Sequence, residues 1–129
     1  MRYLLDSVTI IRHFSGIGKI GRTALSILDD IEQQEDCLAI SVISLMEIMY
    51  LAEKRRIEID LQGTLNRIES SSKYMIINLV PEILRVAQTI QFYELHDRLI
   101  LATAKWLDIP VIFSDSKFEN VSGIRVIWD

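Results

Sequence analysis

The sequence predicts an α/β fold with a mostly parallel sheet and helices on both faces. Three observations carry that prediction. Short apolar stretches of strand length alternate with longer stretches at helical spacing along the whole chain. Only 5 glycines and 2 prolines interrupt them, so the connections are short. The 129 residues contain no repeat, no low-complexity tract and no linker, which fits one domain spanning residues 1–129.

Taken in order, Arg2–Leu5 reads as a short buried strand. Ser7–Phe14 reads as a short helix, with Ser7 or Asp6 as its cap. Gly16–Gly21 breaks the pattern. Ala24, Ile27, Leu28 and Ile31 then give helical spacing to about Gln34. Leu38–Ser41 is the next strand. Leu45, Ile48, Met49 and Ala52 mark a helix over Ser44–Arg56. Leu61, Leu65 and Ile68 mark another, and Tyr74–Leu79 reads as a strand. Pro81 suits the first turn of a helix that Ile83, Leu84, Ala87 and Ile90 continue. Asp97–Leu107 is apolar on most faces and is expected to be buried. Pro110–Ser114 and Ile124–Trp128 complete the strands.

Half of the residues are apolar and a quarter charged, which suits a globular core. Cys37 is the sole cysteine, so no internal disulfide forms. The apolar stretch of MRYLLDSVTIIRHF is too short, and too soon broken by Asp6, for a signal peptide. No apolar run reaches the length of a membrane span. The expectation is a soluble, cytoplasmic protein without a membrane partner. A net charge of −4 argues against a broad nucleic-acid-binding face. Local basic clusters remain. Arg12, Lys19 and Arg22 surround the glycines, as a mobile basic loop would. Lys54–Arg56 reads as a solvated helix C-terminus, where cations suit the helix dipole.

Four acids sit where acids are awkward: Asp6, Glu47, Asp97 and Asp115. Each ends, or lies within, an apolar segment: YLLD, ISVISLMEIMY, LHDRLILATA and IPVIFSD. A carboxylate there is costly unless something positive meets it. Each also has an ordinary structural explanation. Ser44-x-x-Glu47 has the spacing of a capping box. Asp97 complements a helix dipole. Asp6 caps the first helix, and Asp115 is a turn residue. The case for chemistry rests on their coincidence. Sites in parallel α/β sheets lie outside the carboxyl ends of the strands. Asp6 and Asp115 end strands, and Glu47 opens a helix that follows one. Asp97 follows a helix, so its place on that edge is a weaker inference.

Two carboxylates about 4 Å apart repel by roughly 4 kcal/mol at an effective dielectric near 20. A divalent cation removes that conflict. All-oxygen ligation suits Mg²⁺ or Mn²⁺ rather than zinc. His13 and His96 lack metal-ligand spacing, and His96 reads as an exposed loop residue. Cys37 has no evident base and reads as core. GIGKIG lacks the Lys-Ser or Lys-Thr of a phosphate-binding loop. Met46, Met49 and Met75 read as packing.

YLLDSVTIIRHF, ISVISLMEIMYLAEK, LHDRLILATAKWLDIPVIFSD and the trailing KF…V together resemble a PIN domain, in particular the VapC-type toxin ribonucleases of toxin–antitoxin pairs. The resemblance covers essentially the whole chain, and Leu95–Asp115 is its most specific part. It implies a three-layer α/β/α sandwich and a metal-dependent endoribonuclease using Mg²⁺ or Mn²⁺. The family's four acids fall on Asp6, Glu47, Asp97 and Asp115, as metal ligands and catalytic residues. An RNA substrate, a cognate antitoxin and a homodimer are implied by the resemblance alone. One departure stands out: Phe113 occupies the position two before the last acid, where the family often has threonine or serine. Ser114 then becomes the candidate to support the site, and Ser7 sits where a small hydroxyl is common. Two other readings stay open. The same fold could serve a non-catalytic RNA- or protein-binding module. A receiver-like phosphoacceptor is disfavoured by the helix-borne Glu47 and by the lack of a lysine ending a late strand.

Overall fold

The structure, a computed structural model, describes residues 1–31, 33–92, 94–114 and 123–129. The described elements run β1 (Tyr3–Leu5), α1 (Ser7–Ser15), α2 (Arg22–Ile31), β2 (Leu38–Ser41), α3 (Val42–Glu53), α4 (Leu61–Glu69), β3 (Tyr74–Ile77), α5 (Pro81–Ala87), α6 (Leu95–Leu107), β4 (Val111–Ile112) and β5 (Val126–Ile127). The strands form one sheet in the order β3-β2-β1-β4-β5. Every described pairing is parallel. The α/β expectation holds.

Register explains the layers. Successive residues of a strand point to opposite faces. Leu4, Ala39 and Val111 join a core with Ile83, Ala87 and the buried side of α6. Their neighbours Leu5, Ile40 and Ile112 join a second core with Ile10, Leu28, Leu45, Ile48 and Ile68. Both faces of the sheet are therefore covered: α5 and α6 on one side, α1, α2, α4 and most of α3 on the other. A parallel sheet covered on both faces accounts for consecutive buried residues such as Leu38–Ile40.

Element boundaries sharpen the sequence reading. Asp6, not Ser7, caps α1, with its carboxylate accepting from the Thr9 amide. Ser41 caps α3 by accepting from the Ile43 amide, so that helix begins at Val42. Ser44 therefore lies inside the first turn, and the expected Ser44–Glu47 capping box does not form. The hydroxyl of Ser41 reached the helix terminus first, because α3 follows β2 without a connecting residue. Met46, Met49 and Met75 are exposed rather than packed. The first two lie on the face of α3 turned from the core, and Met75 lies on an edge strand.

The Gly16–Gly21 segment is held rather than loose. Arg12 Nη1 donates to the Lys19 carbonyl at 2.7 Å. A Cβ on Gly21 would stand 2.3 Å from the Trp128 carbonyl oxygen. That same oxygen accepts from the Ala24 amide. The start of α2 is thus docked on the end of β5. No helix among the described residues is long and apolar enough to cross a membrane.

Candidate metal-dependent nuclease site

The three described acids reach one edge of the sheet by different routes. Asp6 follows β1 directly, and Leu5 is in register with Ile40 and Ile112 on either side. Glu47 lies in the second turn of α3, which leaves the same edge from β2. α6 connects to the start of β4 through 108–110, so its C-terminus sits at the opposite edge. Its 13 residues carry its N-terminus, and Asp97, about 20 Å back to the carboxyl edge. The length of α6 thus gives Asp97 a route to that edge.

Asp6 is only 2% exposed and accepts three hydrogen bonds. Oδ1 takes the Thr9 amide at 2.7 Å. Oδ2 takes the Ser114 amide at 2.9 Å and the Ser114 hydroxyl at 3.0 Å. Charge-assisted bonds of this kind offset the loss of water around a buried carboxylate. A carboxylate has about four acceptor positions, so Oδ1 keeps one for a further partner. Ser114, the residue that the departure at Phe113 singled out, is thus bonded to Asp6.

Glu47 is half-buried, and its Oε1 lies 2.7 Å from Ser7 Oγ. Ser7 Oγ also lies 3.0 Å from Ser44 Oγ, and Ser44 is fully buried. A hydroxyl has one proton and a carboxylate only accepts. Ser7 therefore donates to Glu47, and the Ser44 proton serves the contact between the two serines. Asp6 and Ser7 are adjacent, so this chain of hydroxyls ties Asp6 to Glu47 across α1 and α3. The sequence offered Ser44 only as a cap. Its buried position under Glu47 appears once α1 packs on α3.

Asp97 occupies the first turn of α6 and is half-buried. Its amide donates to Glu94 Oε2 at 2.7 Å, so Glu94 is the cap. Glu94 Oε1 also meets His96 Nδ1 at 3.1 Å. His96 is a helical residue, not a loop residue. It lines a groove of about 400 Å³ with Glu47, Met46, Met49, Tyr50 and Leu51. That groove joins the Glu47 side of α3 to the start of α6. Asp115 lies outside the described residues, and so does the KF of the trailing motif.

Asp6, Glu47 and Asp97 share an edge, but they do not close into a ready cage. Among the described residues, no three His, Cys, Asp or Glu side chains group closely enough to hold one ion. The donors nevertheless match a hard divalent cation in kind, since all are oxygens. Glu47 Oε2 makes no hydrogen bond among the described residues. The other expected residues are accounted for structurally. Cys37 is half-buried and precedes β2 rather than entering it. Arg12 clamps the glycine segment, and Lys54–Arg56 are exposed past the end of α3.

The sequence matches the family model of the PIN domain over residues 3–124. The chain belongs to the PIN domain family. Solved structures repeat this PIN fold over nearly the full chain. A toxin–antitoxin complex from Klebsiella pneumoniae contains a chain 28% identical, with a TM-score of 0.65, covering 97% of this chain and 95% of that one. VapBC2 from Rickettsia felis, bound to a DNA fragment from its promoter, matches at 17% identity and TM-score 0.73 over 100% of both chains. DNA-bound VapBC from Salmonella typhimurium matches at 19% and 0.70, over 98% and 97%. The last two likenesses speak for the fold alone. No curated protein matches the PIN sequence of this chain.

Proposed function

We propose that this PIN-domain chain is a metal-dependent endoribonuclease, the toxin of a toxin–antitoxin pair, with Asp6, Glu47, Asp97 and Asp115 as its metal-binding and catalytic residues. One observation carries the site assignment. Asp6 is buried and triply hydrogen-bonded at the edge where Ser7 holds Glu47 and where α6 delivers Asp97. The toxin role draws on the likeness to the Klebsiella pneumoniae complex. An antitoxin, an RNA substrate and a homodimer belong to the same reading.

Asp6 supplies a rigid ligand, because three hydrogen bonds fix its plane. Glu47 is steadied at Oε1 by Ser7 and keeps Oε2 for an ion or a water. Asp97, at the start of a buried helix, completes the set with Asp115. Mg²⁺ or Mn²⁺ held by these oxygens would lower the pKa of a water and offset charge on the scissile phosphate. A carboxylate not fully engaged as a ligand, in the first instance Asp115, accepts a proton from the attacking water. The chain needs no covalent nucleophile.

A non-catalytic RNA-binding module is the second reading. It is favoured by the lack of a closed three-acid group among the described residues. One experiment separates the two. Purified protein is incubated with structured RNA and Mg²⁺ or Mn²⁺, beside Asp6→Asn and Asp97→Asn. Cleavage by the wild type alone is expected. Equal cleavage by all three proteins would sink the mechanism, and RNA binding without cleavage would favour the module.

A further inference from the structure

A second pocket borders the first turn of α6, and its lining mixes polar and apolar side chains. It has a volume of about 390 Å³ and is lined by Gln88, Ile90, Gln91, Phe92 and Arg98. That volume lies at the small end of the roughly 300–1,000 Å³ typical of ligand sites. It suits a single nucleotide rather than a folded segment. Ile90 is buried at its base, Phe92 is half-buried against the core, and the two glutamines are exposed at its rim.

Arg98 is the group that gives the pocket a chemistry. Its Nε donates to the Ala87 carbonyl at 2.7 Å, at the end of α5. That bond uses one of the five guanidinium donors and sets the plane of the group. No carboxylate pairs with Arg98 among the described residues. The remaining donors keep the fork geometry that fits phosphate oxygens. Carboxamides such as those of Gln88 and Gln91 carry both donor and acceptor, the complement of a base edge. Arg98 is also the residue immediately after Asp97. The pocket and Asp97 therefore share the first turn of α6, on different faces of it. In a chain of net charge −4, a cation so placed has unusual leverage over where a phosphodiester backbone can lie.

We propose that the pocket formed by Arg98, Gln88, Gln91 and Phe92 binds a nucleotide flanking the scissile phosphate of single-stranded RNA, and so helps to set where the chain is cut. The inference rests on the nuclease reading of the neighbouring acids. The competing explanation is that Arg98 only staples α5 to α6, which would involve neither glutamine.

The test uses the full chain and fluorescein-labelled single-stranded RNA decamers of randomised sequence. Binding is followed by anisotropy in EDTA, and cleavage by KM and kcat in Mn²⁺. The variants are Gln88→Ala/Gln91→Ala, whose exposed side chains can be removed without unfolding the protein, and Arg98→Lys. Thermal melting runs alongside. The glutamine pair is expected to weaken binding and raise KM roughly three- to tenfold at unchanged melting temperature and kcat. Arg98→Lys is expected to act in the same direction and to shift the distribution of cut sites. Unchanged binding, KM and cut sites in both variants, with wild-type cleavage intact, would overturn the pocket and leave the nuclease reading standing. Weakened binding by the variants of a wild type that cuts no RNA would overturn the nuclease reading and keep the pocket as an RNA site. A wild type that neither binds nor cuts RNA overturns both.

Discussion

Ser7 Oγ lies 2.7 Å from Glu47 Oε1, so the first turn of α1 holds an acid on the second turn of α3. The same hydroxyl meets Ser44, which is fully buried. Ser7→Ala removes the donor to Glu47 and leaves the Ser44 hydroxyl without its partner. An unsatisfied buried hydroxyl costs about 1–3 kcal/mol. Urea unfolding should show a loss of that size. Cleavage should fall by about tenfold as Glu47 loses its orientation. Wild-type stability with wild-type cleavage would show that the hydroxyl chain is idle.

Asp6→Asn should do more than remove a charge. Its amide nitrogen cannot accept, so one main-chain donor must lose its bond: the Thr9 amide at Oδ1, or the Ser114 amide at Oδ2. Loss of a helix cap or a buried pairing costs about 1–3 kcal/mol. Denaturant titration checks this, and a wild-type midpoint for Asp6→Asn would show that the cap and the Ser114 bonds add nothing to stability.

Removal of metal should stop cleavage, and its return should restore it. EDTA is expected to abolish RNA cleavage, and Mg²⁺ or Mn²⁺ to return it. An ion that binds only the folded chain adds about 2.7 kcal/mol of stability at a hundred times its dissociation constant. Mn²⁺ should therefore raise the melting temperature of the wild type and not of Asp97→Asn. An equal rise in both would place the ion elsewhere.

Gly21→Ala tests the seam between α2 and β5. The new Cβ would meet the Trp128 backbone at 2.3 Å, where nothing flexible can yield. Overpacking of this kind costs about 1–3 kcal/mol. Hydrogen exchange should show the loss first at the Ala24 amide, whose acceptor is the Trp128 carbonyl. Unaltered exchange there would mean that the seam adjusts freely.

The ion pair between the amino terminus and Asp36, 2.9 Å apart, gives a pH signature. The terminal ammonium, then the Cys37 amide, hold the Asp36 carboxyl below its ordinary range. The hydrogen bond to Asp36 raises the amine above its ordinary range, against a smaller opposing effect of burial. A depressed acid contributes stability above about pH 4, lost as the pH falls through its folded value. A raised amine contributes below about pH 8, lost as the pH rises through its folded value. Asp36→Asn should therefore lower stability slightly between those limits, and leave it unchanged well below pH 3. The effect should shrink with salt, since the pair is exposed.

The sequence by itself determined the fold class and the order of its elements. Strand-length apolar runs followed at once by helical spacing leave few arrangements other than a parallel sheet covered on both faces. It also placed Asp6 and Glu47 on one edge, because a residue ending a parallel strand or opening the next helix has no other edge to occupy. Cap identity was not legible. Ser7 and Asp6, or Ser44 and Ser41, compete on equal chemical terms until the strand ends are known, and a shift of one to three residues decides between them. The tie from Ser7 to Glu47, the bonds from Ser114 to Asp6 and the Arg98 pocket belong to the tertiary structure alone. Each joins groups far apart in sequence or on separate elements, and no local pattern encodes such a contact. Asp97 stands between the two cases: its residue type was visible, but only the length and direction of α6 carried it to the carboxyl edge of the sheet.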